Sequence, residues 1–248
     1  MKTFYYLTLC LMLLLVSSCQ FSETIYINND GSGKMSFNLD GSQLMQMGGD
    51  QMVNPNEKVI DSTVVFKDFL EKNKDSIATL PAEEQQRLKA LENFNMHMLI
   101  DPKTKKMSVD LFTDFKNVDG LHDMFKMMNN AGALNQKNDD KKPNPFSNLG
   151  TGESSKVDYS FNGKVFKRSV TITDPEQLAK VKDSIGDAEM MLSASTYTIN
   201  YHFPKKIKSV SLEDASFSED HKSFSAEVSF KDYLIDPKRL DVEVILED

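Results

Sequence analysis

The stretch Val157–Ile172, VDYSFNGKVFKRSVTI, decides the fold class. Val157, Tyr159 and Phe161 alternate with polar residues, Asn162-Gly163 follows, and strand-forming residues resume from Val165 to Ile172. Successive side chains of a strand point to opposite faces, so such alternation marks a half-buried strand. An Asn-Gly pair readily takes the positive φ angles that a tight hairpin turn requires. The stretch therefore reads as a β-hairpin with one apolar face.

The same pattern recurs on either side of it. Thr24 to Asn28 and Met35 to Leu39 flank the turn-rich Asp30-Gly31-Ser32-Gly33, with Met35, Phe37 and Leu39 on one face. Phe94 to Ile100 and Met107 to Phe115 flank Asp101-Pro102-Lys103-Thr104, and Met107, Val109, Leu111 and Phe115 share a face. Downstream, Tyr197, Ile199, Tyr201 and Phe203 alternate with polar residues, as do Phe224, Ala226, Val228 and Phe230. Val242, Val244 and Leu246 form a last strand. One-sided strands joined as hairpins indicate antiparallel sheet with one wet face.

Helical periodicity fills the intervals. Gly41 to Met52 is interrupted by Gly48-Gly49. Thr63 to Lys72 carries Val65, Phe66, Phe69 and Leu70, and Pro81 to Asn93 carries Leu88 and Leu91. Asp119 to Asn129 places Leu121, Met124, Phe125 and Met128 at helical spacing. Asp174-Pro175-Glu176-Gln177 has an N-cap, a proline at the first position and a glutamine three residues on. Leu178, Val181, Ile185 and Leu192 continue the stripe that this cap opens. The expected class is α+β: antiparallel sheet built from hairpins, with helices on one face. Residues 131–155, rich in Asn, Asp, Lys, Gly and Pro, suggest a linker or loop. That division gives an N-terminal lobe at 24–130 and a C-terminal lobe at 156–248.

Composition excludes several chemistries. The formal charge is −8, and the acidic chain reads as having no basic cluster beyond Lys205-Lys206-Ile207-Lys208. This argues against nucleic acid as a partner and against electrostatic adhesion to anionic lipid, which leaves membrane attachment to an anchor. His97, His122, His202 and His221 form no H-E-x-x-H or H-x-H arrangement, and no metal is expected. No G-x-S-x-G elbow, Walker loop or dinucleotide fingerprint occurs, so neither catalytic residues nor a cofactor can be named. Asn28, Asp30 and Ser32 mimic a calcium loop, but Leu39 stands where the bidentate glutamate belongs. Methionine is the unusual abundance: Met124, Met127 and Met128 are candidate ligand-binding residues, since flexible thioethers accept varied apolar ligands. Core packing is the competing reading for them.

The first eighteen residues carry the zones of a secretory signal: Lys2, an apolar run from Leu7 to Val16, then Ser17-Ser18. The run falls short of the roughly 20 apolar residues of a membrane span. Leu15-Val16-Ser17-Ser18-Cys19 resembles the lipobox of bacterial lipoprotein precursors, in which the cysteine is diacylated and becomes the mature N-terminus. Cys10 lies within the signal, so Cys19 is the single cysteine left after cleavage. Residues 19–23 then form the lipidated cysteine and a short tether. Two acyl chains make a stable anchor where one is marginal. Gln20 rather than aspartate after the cysteine favours the outer membrane, by the sorting rule of enteric-type lipoproteins.

The mature part also carries a family resemblance. The isoleucine-rich first strand, NNDGSGKMSF at Asn28–Phe37 and YHFPKKIKSVSLEDASFSEDHKSFSAEVSF at Tyr201–Phe230 resemble the LppM-like domain of bacterial lipoproteins. Ile25, Asp30, Gly31, Phe203 and Pro204 are its best points, and the middle from Val53 to Phe94 departs from it. The resemblance implies an α+β lipoprotein domain with an apolar cavity and lipid binding, and brings no catalytic residues. The sequence thus favours a membrane-anchored envelope lipoprotein with a non-enzymatic binding or structural role. The alternative is a carrier of a lipid or other apolar ligand between the sheet and the methionine-bearing helices. Expected partners are the membrane, through Cys19, and an apolar ligand or envelope protein.

Overall fold

The computed structural model describes residues 20–47, 57–132, 154–186 and 189–248. The strands in chain order are β1 (Gln20–Ile27), β2 (Gly33–Asp40), β3 (Ile60–Val65), β4 (Asn95–Asp101), β5 (Lys106–Phe115) and β6 (Ser155–Phe161). They continue with β7 (Val165–Ile172), β8 (Thr196–His202), β9 (Ile207–Val210), β10 (Ser216–Phe217), β11 (Ser223–Ser229) and β12 (Val242–Leu246). They form an eight-stranded sheet, β10-β11-β8-β1-β2-β5-β4-β3, and a four-stranded sheet, β6-β7-β12-β9. The class is α+β, as the alternation predicts.

All three hairpins form. At the turn of the β6–β7 hairpin Gly163 takes a φ of 86°. Asn162 secures the turn through its side chain, whose Oδ1 accepts from the N–H groups of Lys164 at 3.0 Å and Val165 at 2.7 Å. One strand pairing departs from the antiparallel expectation: β1 runs parallel to β8, Gln20 beside Thr196 and Tyr26 beside His202. Strands from both sides of the polar stretch 131–155 therefore share one sheet. Their apolar faces also join one hydrophobic core, so the sheet does not divide at that stretch.

Register explains the two faces of the large sheet. Ala226, Ile199, Glu23, Phe37, Leu111, Met96 and Val64 stand side by side on β11, β8, β1, β2, β5, β4 and β3, facing inward. One residue along, Glu227, Thr198, Ser22, Asn38, Asp110, His97 and Thr63 make the wet face. A single charged residue, Glu23, interrupts the inward row.

The helices are α1 (Ser42–Met47), α2 (Phe66–Lys72), α3 (Lys74–Ile77), α4 (Ala82–Lys89), α5 (Met124–Gly132), α6 (Pro175–Ser184), α7 (Glu189–Ala194) and α8 (Phe230–Ile235). Asp174 caps α6 as expected, its Oδ1 accepting from Gln177 N–H at 2.8 Å. The helix expected over Thr63–Lys72 begins only at Phe66. Thr63, Val64 and Val65 are β-branched and pair with His97, Met96 and Asn95, so tertiary pairing and strand propensity override the helical spacing. The helix expected from Asp119 is split: Val118–Gly120 makes a 3₁₀ turn, and Asp123 caps α5 by accepting from Lys126 N–H at 3.0 Å.

The inner face of the large sheet is covered by the small sheet as well as by helices. Phe21 on β1 stacks on Phe230 of α8 at 3.8 Å between ring centroids and meets Phe125 of α5 edge-on at 6.1 Å. Phe166 of β7 meets Tyr201 of β8 edge-on at 5.4 Å. Buried aromatic pairs add about 0.5–1.5 kcal/mol each beyond their area.

Candidate functional site

Glu23 is the natural place to look for chemistry, because its register puts a carboxylate on the apolar face of the central strand. Phe21 and Ile25, two residues either side, point the same way and are buried. A second charge occupies the matching phase of β7: Phe166, Arg168 and Val170 all face inward. Glu23 is 1 % exposed and Arg168 2 %. Isolated charges cannot stay so deep without partners, since desolvation costs several kcal/mol per ion.

The partners are tyrosines from both sheets. Tyr201 donates to Glu23 Oε1 at 2.5 Å, Tyr159 to the same oxygen at 3.1 Å, and Tyr197 to Oε2 at 2.9 Å. Tyr197 and Tyr201 flank Ile199 on β8, whose Cα pairs with Glu23 itself. Tyr159 pairs with Arg168 across the β6–β7 hairpin, and the Arg168 guanidinium carbon lies 6.0 Å from its ring centroid. Arg168 Nε stands 3.8 Å from Glu23 Oε1, and its Nη1 donates to the Leu240 carbonyl at 3.2 Å. Nε itself finds no hydrogen-bond acceptor among the described residues.

Burial pushes the hydroxyls of Tyr159, Tyr197, Tyr201 and Tyr233 well above the usual phenol range, and neighbouring carboxylates push the same way. They therefore stay protonated, and Tyr159, Tyr197 and Tyr201 serve as donors to Glu23. Burial also raises Asp123, while the hydrogen bond from Lys126 and the charge of Arg168 pull it down. The cluster thus joins β1 and β8 of the large sheet to β6 and β7 of the small one through charge-assisted hydrogen bonds, the stronger kind. Its closure defines what it can do. With Glu23 and Arg168 enclosed, it fixes the two sheets against each other and presents no reactive group to a solute.

The sequence-named residues fall elsewhere. Met124 and Met127 are 0 % and 5 % exposed, and Met128 packs half-buried against the same core. Met124 and Met127 fill space under the sheet. Two clefts open to solvent lie apart from them: a hollow of about 570 Å³ at Ile27–Asp30 and Pro204, and a groove of about 660 Å³ among α2, α3 and α4. Cys19 lies outside the described residues, so its lipidation is untouched by this geometry. Residues 20–23 are the start of β1 rather than a tether.

The histidines do not converge. His97 sits on the wet face between Asp61, 2.9 Å from its Nε2, and Asp110, 3.8 Å from its Nδ1. His202 stacks on Tyr26 at 4.1 Å, and His221 on Phe217. Among the described residues no group of three or more His, Cys, Asp or Glu side chains is arranged to hold a metal. Asn28, Asp30 and Ser32 bond to one another in a turn: Asp30 Oδ1 accepts from Ser32 N–H at 3.0 Å, and Asn28 Nδ2 donates to Ser32 Oγ at 3.0 Å.

No family model matches the chain, and no curated protein matches it. Among solved structures, the folded domain of LppM from Mycobacterium tuberculosis, determined by NMR, aligns with a TM-score of 0.37. Identity is 6 %, and the alignment covers 92 % of this chain and 89 % of that one.

Proposed function

We propose that this chain is a bacterial envelope lipoprotein, anchored through acylated Cys19, with a non-enzymatic binding or structural role. One observation carries the reading. Gln20, the residue next to Cys19, already belongs to β1, an inner strand of the larger sheet. An anchor at Cys19 would be coupled to the core with no intervening tether, which holds the body against its membrane in a restricted orientation. The buried Glu23–Arg168 cluster, three residues further along β1, stiffens the strand that bears the anchor. By the sorting rule for the residue after the cysteine, Gln20 favours the outer membrane.

The interior favours surface binding over carriage. A carrier would need a hollow beside Met124 and Met127, and these side chains are 0 % and 5 % exposed within the core. The test is fractionation of cells expressing the wild type or Cys19→Ala. The wild type should stay with membranes through washes of high salt and alkaline carbonate, and Cys19→Ala should be released or remain unprocessed. Membrane attachment unchanged in Cys19→Ala would refute the anchor.

A further inference from the structure

The end of the large sheet at which β1 begins carries more than the anchor point. Gln20 stands beside Asp40 of β2, and Asp40 beside Ser108 of β5. The β4–β5 hairpin turns at this same end, with Asp101 opposite Lys106. Lys106 lies two residues beyond Ser108, about 7 Å further along the strand direction at roughly 3.4 Å per residue. Adjacent strands twist by about 20–25°, so β5, two places from β1, is rotated but still projects on the anchored side.

This tip holds three lysines, Lys103, Lys105 and Lys106, of which Lys103 and Lys106 are exposed. Its one carboxylate, Asp101, bonds within the loop and stays ionised, partly offsetting Lys103, so three lysines against one carboxylate leave the tip net positive. Asp101 Oδ1 accepts from Lys103 N–H at 2.9 Å and Thr104 N–H at 3.3 Å, and Oδ2 accepts from Thr104 Oγ1 at 2.7 Å. The turn is firm: Pro102 is buried and Lys105 takes a φ of 53°. At the neighbouring corner Asp40 is likewise occupied, capping the start of α1 through Ser42 N–H at 2.9 Å, and Lys231 is paired with Glu189 at 2.5 Å. An acidic protein therefore presents a rigid basic point on the side from which its anchor leaves.

We propose that the β4–β5 tip docks on the anionic lipid headgroups of the bilayer that holds the Cys19 anchor. The inference rests on the lipoprotein reading and adds a defined orientation and a local electrostatic contact, which the net charge of −8 argues against and the placement of the β4–β5 turn supplies. Lys103 and Lys106 face the headgroups, while the Asn28–Ser32 turn and Lys205-Lys206, at the far ends of β1 and β8, point away. Each lysine brought to an anionic surface strengthens attachment about fivefold, an effect confined to within a Debye length of it.

The test uses the intact mature lipoprotein and limited acetylation of its lysines, read by mass spectrometry. It is run in detergent, in phosphatidylcholine vesicles, and in vesicles that also contain phosphatidylglycerol. In anionic vesicles Lys103 and Lys106 should be labelled several-fold more slowly than in detergent, and Lys205 and Lys206 at an unchanged rate. Neutral vesicles should protect the tip less, and Lys103→Glu with Lys106→Glu should remove the difference between the lipid mixtures at Lys105, the lysine left in the tip. Equal labelling of tip and distal lysines, or equal protection in both lipid mixtures, overturns the proposal while leaving the anchor standing. An unacylated Cys19 peptide in the same digest overturns both.

Discussion

Glu23→Gln is the sharpest perturbation of the core, because it keeps the shape of the side chain while deleting its charge and one of its two acceptor oxygens. The glutamine oxygen still accepts from the tyrosines on its side, its amide puts a donor where the other oxygen accepted, and Arg168 is left as a buried cation whose Nε already lacks an acceptor among the described residues. Removing one member of a buried pair costs about 3–5 kcal/mol, and the retained hydroxyl bonds place this change near the lower end, about 3–4 kcal/mol. For a chain of this size each kcal/mol moves Tm by roughly 2–4 °C, so a fall of about 6–16 °C is expected. Arg168→Met, which strands the carboxylate, should cost about as much. The double variant removes both charges and should lose about 2 kcal/mol or more less than the sum of the single changes. Urea unfolding of the four proteins, followed by circular dichroism, completes the cycle. Single variants within about 1 kcal/mol of the wild type, or strict additivity in the double, would refute the assignment of this cluster as the joint between the sheets.

Other consequences are smaller and independent. Met124→Ala should destabilise by about 2–5 kcal/mol in the same unfolding assay, as for a filled core position, and a change under 1 kcal/mol would point to slack around it. His97 should titrate above its usual 6.5, chiefly through its hydrogen bond to Asp61, with Asp110 adding and partial burial opposing. A raised pKa in the fold means that its stabilising contribution is full below 6.5 and disappears as pH rises through the folded value. An NMR titration should show this, and Asp61→Asn should bring the midpoint down. Asp174→Ala, which removes the cap of α6, should cost about 1 kcal/mol.

The strands were legible because one face of each is wet, which leaves a period of two in the sequence. The Asp174-Pro175 start of α6 was equally plain, since capping is a local bond. Thr63–Val65 misled because Phe66, Phe69 and Leu70 carry a helical spacing that blurs into the β-branched run before them. Nothing local announces the parallel pairing of β1 with β8: Tyr201 meets Glu23 across 178 positions of chain. The buried cluster did leave a mark. Glu23 lies between Phe21 and Ile25, and Arg168 between Phe166 and Val170, each in the apolar phase of its strand. A search confined to His, Cys and Ser passes over such residues, whereas two opposite charges in inward phases are a signal that they meet. The methionines misdirect in the other way, because Met packs a core as readily as it lines a groove.

The central claim is that a lipid at Cys19 couples the membrane directly to strand β1. Mass spectrometry of the mature N-terminal peptide tests it most directly. The account predicts a chain that starts at Cys19 and carries acyl groups on that residue. A mature chain that starts elsewhere, or an unmodified Cys19 in membrane-associated protein, would contradict it.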